Sequence, residues 1–411
     1  MKYGLIGEKL SHSFSKEIHE TLADYEYEIF PIAKDKLDEF MLKREFTAIN
    51  VTIPYKEDVI PYLDYISDQA KEIGAVNTIV NRDGKLFGYN TDFFGMTDLI
   101  NHAGIEIKGK KVLIAGTGGT SKTSFAVAKS LGAREVFKVS RSGKDGALTY
   151  EDAYAKHSDA EIIINTTPSG MYPNIDGLPI DPLRFPSLEG AIDAIYNPLR
   201  TKFVQRAKEC GAIAEGGLYM LVAQGVRAAE IFLGKEFSEG ETEKVYEKIL
   251  RSKENIVLSG MPGCGKSTIG KMLAEKLRRP FIDLDDEIVK MAGKPITEIF
   301  AEGGESHFRD METEAARKAA SISGAVIATG GGAILRDENV RLLKQNGRIY
   351  FLDRPLEQLL PTADRPLASS AEAIKTRYKE RFPRYCTACD VHLKTDGVAE
   401  HAVKDIGDDF I

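Results

Sequence analysis

The stretch Asn255-Ile-Val-Leu-Ser-Gly260-Met-Pro-Gly263-Cys264-Gly265-Lys266-Ser267-Thr268 decides the fold of the last third of the chain. A short β-branched apolar run enters a loop with the P-loop glycine spacing, and a helix-compatible segment follows. In such a loop, backbone N–H groups and the helix N-terminus face phosphate oxygens, while the lysine reaches the outer phosphates and the serine hydroxyl binds Mg²⁺. The sequence therefore predicts a nucleoside triphosphate site on Gly260, Gly263, Cys264, Gly265, Lys266, Ser267 and Thr268.

The composition is that of an ordinary globular protein with more than one domain. At 411 residues, with 43% apolar and 28% charged residues, the chain is long enough for two or three separate cores. The net charge of −7 argues against a nucleic-acid partner. The N-terminus lacks the apolar core of a signal peptide, and no apolar run approaches the length of a membrane span. We therefore expect a cytoplasmic protein that binds neither nucleic acid nor membranes.

The first segment, residues 1–108, alternates short apolar runs with amphipathic segments, which predicts an α/β domain. Strands are predicted at residues 3–7, 26–31 and 48–54, and helices at residues 15–22 and 34–43. Small polar groups stand at the ends of these elements, and such a set suits a small polyhydroxylated acid, although each position alone also fits a helix cap or a solvated side chain. They lie in Ser11-His-Ser13-Phe-Ser15, Asn50-Val-Thr52-Ile-Pro-Tyr-Lys56, Gly74-Ala-Val-Asn77-Thr and Tyr89-Asn90-Thr-Asp92.

Taken together and in this order, the four motifs resemble the substrate-binding domain of shikimate dehydrogenases. The resemblance implies that Lys56 and Asp92 form an acid/base pair. The chemistry agrees, because reducing a ring ketone needs a proton donor at the oxygen while hydride reaches the carbon. The resemblance also implies that the substrate is bound by Ser13, Ser15, Thr52, Lys56, Asn77 and Asp92.

The second segment, residues 109–254, opens with a predicted strand and glycine turn, Lys111-Val-Leu-Ile-Ala-Gly116-Thr-Gly118-Gly119-Thr120-Ser121, followed by a helix over residues 122–131. Ser121 stands where the dinucleotide-binding fingerprint has its third glycine. The next strand ends at Ser140-Arg141, where the residue that contacts the adenosine ribose belongs. An arginine there favours the extra phosphate of NADP over NAD, and the alternative is a solvated arginine at a strand end.

This turn is similar to the Gly-x-Gly-Gly-x-[Ser/Ala] turn of shikimate dehydrogenases, and three later motifs extend the resemblance: Ile163-Ile-Asn165-Thr-Thr-Pro-Ser-Gly170, Asp193-Ala-Ile-Tyr196-Asn-Pro and Gly216-Gly217-Leu-Tyr-Met220-Leu-Val-Ala-Gln224. The resemblance implies that Tyr196 and Gln224 reach the substrate and that Gly217 and Met220 lie beside the nicotinamide. It adds Gly116, Gly118, Gly119, Thr120, Ser121, Ser140, Arg141 and Asn165 as NADP contacts. It also implies a Rossmann-like NADP domain at 109–218 and a discontinuous substrate domain at 1–108 plus about 219–250. The family usually has a small residue at the position of Tyr219.

Carboxylates, an arginine and glycines follow the P-loop. Asp283-Leu-Asp285 ends a predicted strand beside the phosphate loop, where one carboxylate holds the Mg²⁺ shell and another orients or deprotonates an attacking hydroxyl. Arg309 and Glu312 lie three apart on one predicted helix face, as a carboxylate-binding arginine held by an acid or as a plain salt bridge. Gly330-Gly331-Gly332 ends a buried strand and permits close approach of a ligand.

In this order after a P-loop, these motifs resemble shikimate kinase over residues 255–411. The resemblance implies that Asp285 binds shikimate hydroxyls and acts on the attacked oxygen, and that Ser267 and Asp283 hold the metal. The substrate carboxylate and ring would be held by Arg309, Gly331, Gly332 and Arg381, the last in Arg381-Phe-Pro-Arg-Tyr385. Asp364-Arg365-Pro366-Leu367 matches the lid, and it implies that Arg365 closes over the ATP phosphates and acts in catalysis with Lys266.

The two resemblances name consecutive reactions. We therefore predict a bifunctional α/β enzyme, in which a two-domain dehydrogenase is fused to a P-loop kinase with a parallel sheet. It would reduce 3-dehydroshikimate to shikimate with NADPH and then phosphorylate shikimate with ATP and Mg²⁺. Two alternatives stay open: one domain is a non-catalytic binding module, or a related compound such as quinate is the substrate. The sequence leaves the oligomeric state open and gives no reason to predict channelling.

Overall fold

The computed structural model describes residues 2–8, 10, 13–359 and 371–410. The chain divides into two compact units, residues 1–249 and 250–411. Both are built from sheets flanked by helices, which confirms the predicted α/β class. Unit 2 begins at Leu250, five residues before the start predicted for the P-loop domain, because the helix that joins the two segments is divided between the units.

The first sheet of unit 1 has six strands in the order β2-β1-β3-β5-β6-β4. The strands are β1 (Tyr3–Gly7), β2 (Tyr27–Pro31), β3 (Ala48–Val51), β4 (Tyr65–Ile66), β5 (Thr78–Arg82) and β6 (Lys85–Tyr89). The helices are α1 (Ser15–Leu22), α2 (Leu37–Lys43), α3 (Asp68–Ile73) and α4 (Asp92–His102). Strands β1, β2 and β3 are parallel, whereas β5 runs antiparallel to β3 and β6. Consequently the polar residues that follow β3 and those that precede β5 lie at the same end of these two central strands.

Two predicted boundaries in this region differ from the structure. Strand β3 ends at Val51 and not at residue 54, because residues 53–56 turn away from the sheet. The helix predicted from residue 34 begins as a 3₁₀ turn at Lys34–Lys36 before α2 starts. The predicted helix at residues 15–22 agrees with α1.

The second sheet of unit 1 has five parallel strands in the order β11-β10-β9-β7-β8. The strands are β7 (Lys111–Ala115), β8 (Glu135–Val139), β9 (Ile162–Asn165), β10 (Gly190–Asp193) and β11 (Ile213–Glu215). The helices are α5 (Gly119–Ser130), α6 (Tyr150–Lys156), α7 (Lys202–Glu209), α8 (Leu218–Leu233) and α9 (Glu241–Lys253). The central strands β7, β9 and β10 are buried along their whole length, as apolar parallel strands covered on both faces are.

Helix α8 returns from the second sheet to the first. It packs against α1 and α4, and Phe232 near its end joins a core cluster with Leu5 and Val80 of the first sheet. This packing is the arrangement expected for a discontinuous substrate domain. The proposed borders of that domain stay a prediction, because residues 1–249 form one compact unit.

Unit 2 contains a five-stranded parallel sheet in the order β13-β14-β12-β15-β16. The strands are β12 (Asn255–Ser259), β13 (Phe281–Asp283), β14 (Val326–Ala328), β15 (Gly347–Asp353) and β16 (Val391–Lys394). The helices are α10 (Lys266–Leu277), α11 (Leu284–Ala292), α12 (Ile296–Ala320), α13 (Asp337–Asn346), α14 (Ala371–Ala388) and α15 (Ala399–Phe410). Helix α12 is interrupted at Gly304, where φ is 70°. None of the helices described in either unit is long and apolar enough to cross a membrane.

Candidate active sites

A lysine and an aspartate form a direct ion pair beyond the ends of the central strands of the first sheet. Lys56 follows β3 and donates to Asp92 Oδ2 at the start of α4. The two side chains are 14% and 8% exposed. Asn77 Nδ2 donates to the other carboxylate oxygen of Asp92 at 2.9 Å and to Thr91 Oγ1 at 3.0 Å. The structure thus brings Lys56, Asn77 and Asp92 together, although they come from three separate motifs.

The hydroxyl groups predicted to bind substrate lie at the start of α1. Ser13 Oγ donates to Ser15 Oγ at 3.0 Å and accepts from the Ser15 backbone N–H at 3.2 Å. Ser13 is also hydrogen-bonded to the Tyr196 phenol; burial raises the pKa of that phenol, and the bond to Ser13 opposes the rise. The Phe14 ring lies 5.2 Å from the Tyr196 ring, between centroids. Tyr196 therefore reaches the Ser13 motif from the second sheet, and its contact with substrate stays a prediction.

Two further predicted substrate residues border the same region. Gln224 of α8 accepts a 3.4 Å hydrogen bond from Oγ1 of Thr91, the residue that precedes Asp92 in the chain. Thr52 is half-buried directly after β3, and its backbone N–H donates to the Ile6 carbonyl. The predicted contact of the Thr52 hydroxyl with substrate stays a prediction.

The glycine turn after β7 has the conformation that a dinucleotide site needs. Gly116 has a φ of 117°, and a Cβ atom there would stand 2.5 Å from Thr166 Oγ1. Helix α5 begins at Gly119, three residues earlier than predicted, so its first N–H groups, including that of Thr120, lie within the turn. Ser121 is fully buried, and its Oγ donates to the Gly116 carbonyl at 2.7 Å. Ser121 therefore stabilises the turn through a side-chain hydrogen bond that a glycine at this position could not make.

Three other predicted cofactor contacts follow strands of the second sheet. Arg141 is exposed two residues after β8, and Ser140 Oγ accepts from the Gly143 N–H at 3.1 Å. Asn165 is buried at the end of β9, where its amide donates to Asp193 at 2.9 Å and accepts from the Thr167 N–H. The Asn165 side chain is thus used inside the fold, and its contact with a cofactor stays a prediction.

The start of α8 packs tightly on the end of β10. A Cβ atom on Gly217 would stand 2.3 Å from the Ala194 carbonyl oxygen, and Met220 is buried in the core beside α4. Tyr219 stacks on His102 with ring centroids 3.9 Å apart and meets Tyr246 of α9 edge-on at 5.0 Å. This packing between α4 and α9 gives the large side chain of Tyr219 a structural reason.

The P-loop of unit 2 has its predicted conformation. Gly260, Gly263 and Gly265 all have positive φ, of 146°, 81° and 100°, which side chains other than glycine rarely adopt. Lys266 begins α10 and donates to the carbonyls of Gly260 at 2.9 Å and Met261 at 3.0 Å. Cys264 is buried, with its Sγ 3.8 Å from the Lys266 ammonium, whereas Thr268 is exposed.

Oxygen ligands suitable for Mg²⁺ stand beside this loop. Ser267 Oγ donates to Asp283 Oδ2 at 2.6 Å, and Asp283 Oδ1 accepts from the Asp285 backbone N–H at 3.0 Å. Across the described residues, no group of three or more His, Cys, Asp or Glu side chains could hold a metal by itself. A hydroxyl and one carboxylate fit Mg²⁺, which keeps several waters and takes its other ligands from phosphate.

A cavity of about 370 Å³ unites most of the kinase residues predicted from the sequence. Arg309 NH1 donates to Glu312 Oε2 at 2.7 Å, and Arg381 NH1 donates to the Gly331 carbonyl at 2.9 Å. Burial raises the pKa of Glu312, and the Arg309 charge opposes that rise. The predicted residues in the lining are Ser267, Asp283, Asp285, Arg309, Gly331, Gly332 and Arg381.

The cavity also contains residues that were not assigned to the site from the sequence. Phe300 and Phe308 of α12 form part of its wall, with ring centroids 4.6 Å apart. Glu312 lines it as well, and its Oε1 is a buried atom without a hydrogen-bond partner. Helical spacing could not have brought the two phenylalanines together in advance, because the interruption of α12 at Gly304 lies between them. Arg365, predicted for the lid, lies outside the described residues.

The geometry defines the class of protein: a dinucleotide-dependent oxidoreductase in unit 1, joined to a P-loop phosphotransferase in unit 2. The family models narrow this class. "Shikimate dehydrogenase substrate binding domain" matches residues 5–79, and "Shikimate kinase" matches residues 262–409.

Individual relatives agree with the first of these families. The shikimate dehydrogenase (NADP(+)) of Clostridium beijerinckii is 40% identical over 261 residues, which cover 59% of this chain and 96% of the relative. Shikimate dehydrogenase 1 of Peptoclostridium difficile is 35% identical with a TM-score of 0.57, over 61% of this chain and 98% of that one. The Thermus thermophilus enzyme, solved with NADP(H) and shikimate, is 28% identical with a TM-score of 0.54, over 60% and 99%.

The chain therefore belongs to the shikimate dehydrogenase family and carries a shikimate kinase domain after it. These findings confirm the predicted fusion and its class of function, a bifunctional enzyme of the shikimate pathway.

Proposed function

We propose that unit 1 reduces 3-dehydroshikimate to shikimate with NADPH and that unit 2 transfers the γ-phosphoryl group of ATP to the 3-hydroxyl of shikimate. The observation that carries the first half is the position of the Lys56–Asp92 pair beside the glycine turn. A Cβ atom on Gly119 would stand 3.8 Å from Lys56 Cδ. A proton donor is thus held next to the turn that would bind the dinucleotide, as carbonyl reduction requires.

In the reduction, NADPH supplies a hydride to the ketone carbon. Lys56 delivers a proton to the ketone oxygen, and Asp92 keeps the lysine side chain oriented before that transfer. Asn77 fixes the Asp92 carboxylate through its 2.9 Å hydrogen bond, and Ser13 and Ser15 would bind the substrate carboxylate. Arg141 would select NADP through its extra phosphate, because a guanidinium donates to a phosphate in bidentate fashion.

In the phosphorylation, Asp285 accepts the proton of the attacking hydroxyl, and Arg309 and Arg381 hold the substrate carboxylate. Lys266 and the P-loop N–H groups bind the outer phosphates, and Arg365 would cover them. Mg²⁺, held by Ser267 and Asp283, would neutralise charge on the phosphates. The grouping of these side chains around one cavity supports the assignment.

We assign residues 1–108 and about 219–250 to substrate binding, and residues 109–218 to NADP. The packing of α8 on α1 and α4 supports this division. The cytoplasm is the compartment that we expect from the sequence.

The test separates the two reactions in one chain. Wild type, Lys56→Met and Lys266→Met are each given shikimate with NADP⁺ and, separately, with ATP and Mg²⁺. We expect Lys56→Met to lose only the nicotinamide absorbance change and Lys266→Met to lose only ADP formation. If wild type performs one reaction alone, the other unit is a binding module. Turnover of quinate above that of shikimate would instead favour the related-substrate alternative.

A further inference from the structure

Two carboxylates contact the guanidinium of Arg309, and they differ in burial. Arg309 NH1 donates to Glu312 Oε2 at 2.7 Å, and NH2 donates to Glu305 Oε1 at 3.1 Å. The Glu312 side chain is 1% exposed, whereas that of Glu305 is 55% exposed. One partner of the arginine is therefore fixed in the core, and the other stands where solvent can replace it.

The guanidinium also lies against the glycine turn after β14. A Cβ atom on Gly332 would stand 2.3 to 2.5 Å from NH1, NH2 and Cζ of Arg309, so the group rests closely on the glycine turn. A carboxylate ligand that pairs with Arg309 needs a free donor edge of the guanidinium. Because Glu312 is buried, the edge that can be freed is the one that Glu305 uses.

The backbone makes that exchange inexpensive. Helix α12 is broken at Gly304, where φ is 70° and ψ is −176°, and its second part begins with Glu305. The first N–H groups of a helix have no partners within the helix and favour a nearby negative charge. Glu305 therefore keeps a stabilising environment after it leaves Arg309, and in the ion pair that it gives up the Glu305 side chain is 55% exposed to water.

We propose that Glu305 competes with the substrate carboxylate for Arg309 and thereby sets the affinity of the kinase for shikimate. This inference rests on the proposed function, in which Arg309 binds that carboxylate. Glu305 is a specificity-determining residue in this account, because a ligand needs a carboxylate of its own to displace it. A ligand without this charge has no reason to move Glu305.

The test is direct titration of the full-length protein with shikimate and with shikimate carboxamide, by calorimetry. The data are fitted to two sites, because the proposed dehydrogenase pocket also binds shikimate, and the Kd values below refer to the site in unit 2. For Glu305→Gln we expect the Kd of shikimate to fall about two- to fivefold, the size expected for losing one ion pair with a partly exposed carboxylate, with an unchanged Kd for the carboxamide. Glu305→Asp keeps the charge but shortens the reach, so it should behave like Glu305→Gln. If Glu305 only repelled the anion, the aspartate variant would behave like wild type.

Glu314→Gln is the matched control. Glu314 lies on the same helix, is 54% exposed and pairs with Lys318 in the same i,i+4 manner. We expect it to bind both ligands as wild type does. An unchanged or raised Kd of shikimate in Glu305→Gln, or an equal fall for both ligands, overturns the competition. Wild type that binds no shikimate and forms no ADP would instead reject the proposed kinase function itself.

Discussion

Lys56 Nζ donates directly to Asp92 Oδ2, and both side chains are largely removed from solvent. An ion pair in such a place is costly unless further hydrogen bonds support it, and Asn77 supplies one at the other oxygen of Asp92. The pair lies beyond the ends of the central strands of the first sheet, next to the glycine turn that follows β7 of the second sheet. In the proposed mechanism, Lys56 of this pair is the proton donor of the dehydrogenase.

Replacing Lys56 by methionine removes that donor while keeping a side chain of similar length. We expect kcat for shikimate oxidation to fall about 10²- to 10⁴-fold, because general acid/base catalysis contributes that much. NADPH formation measures the loss, and the circular dichroism spectrum of the same sample reports intact folding. Lys43→Met, which breaks an exposed ion pair with Glu39, is the control. Comparable losses in both variants would argue against a catalytic role.

Arg141 tests the choice of cofactor. Arg141→Asp should raise the KM for NADP⁺ about 10- to 100-fold, since hydrogen bonds to a charged group are lost, and should change the KM for NAD⁺ much less. Steady-state kinetics with both cofactors measure the difference. Lys129→Asp makes the same change of charge at an exposed position of α5 and should leave the ratio unaltered. Equal effects of Arg141→Asp on both cofactors would contradict a phosphate contact.

Asp283 tests the metal site. Asp283→Asn keeps the shape of the side chain but removes its charge, so the Mg²⁺ concentration for half-maximal kinase activity should rise about tenfold or more. The dehydrogenase activity should stay constant in the same titration. An unchanged Mg²⁺ dependence would show that the Ser267–Asp283 hydrogen bond is structural only.

His19 makes unit 1 sensitive to acid. It is 1% exposed, stacks on Tyr27 with ring centroids 4.1 Å apart, and accepts or donates a 2.6 Å hydrogen bond with Tyr25. Burial lowers the pKa of His19 from 6.5 to about 3. Below pH 6.5 the His19 ring is therefore protonated in the unfolded chain, whereas it stays neutral in the folded chain because its pKa is about 3. The free energy of unfolding should therefore fall as the pH is lowered from 6.5 towards 3, because the unfolded chain takes up a proton at this group and the folded chain does not.

The measurement for His19 is an NMR titration of the histidine ring signals, assigned with the variant His19→Phe. We expect the His19 signals to stay constant from pH 7.5 to 5. The slope of unfolding free energy against pH should also be shallower in the variant. A His19 midpoint near 6.5 would contradict the neutral buried ring.

Residues in local motifs were predictable from the sequence, because glycine conformation and ligand chemistry act over a few positions. The positive φ angles of Gly260, Gly263 and Gly265 follow from the P-loop spacing. The pairing of Arg309 with Glu312 follows from their separation on a helix. The α/β class of both units followed from the alternation of apolar and amphipathic segments.

Features that depend on packing between distant segments could not be predicted in this way. Ser121 was assigned to the cofactor, yet its hydroxyl closes the turn on Gly116. The Asn165 amide is used by Asp193, a carboxyl whose pKa burial raises to about 7. Tyr219 packs between α4 and α9, which no local pattern indicates.

In the proposed function, the pocket of unit 1 and the pocket of unit 2 act on the same cyclic hydroxy acid. The most direct test supplies the intact protein with 3-dehydroshikimate, NADPH, ATP and Mg²⁺ and follows absorbance and ADP together. We predict oxidation of NADPH that begins at once and ADP that follows as shikimate accumulates, with shikimate 3-phosphate as the final product. If neither NADPH oxidation nor ADP formation exceeded the rate without protein, the claim would be contradicted.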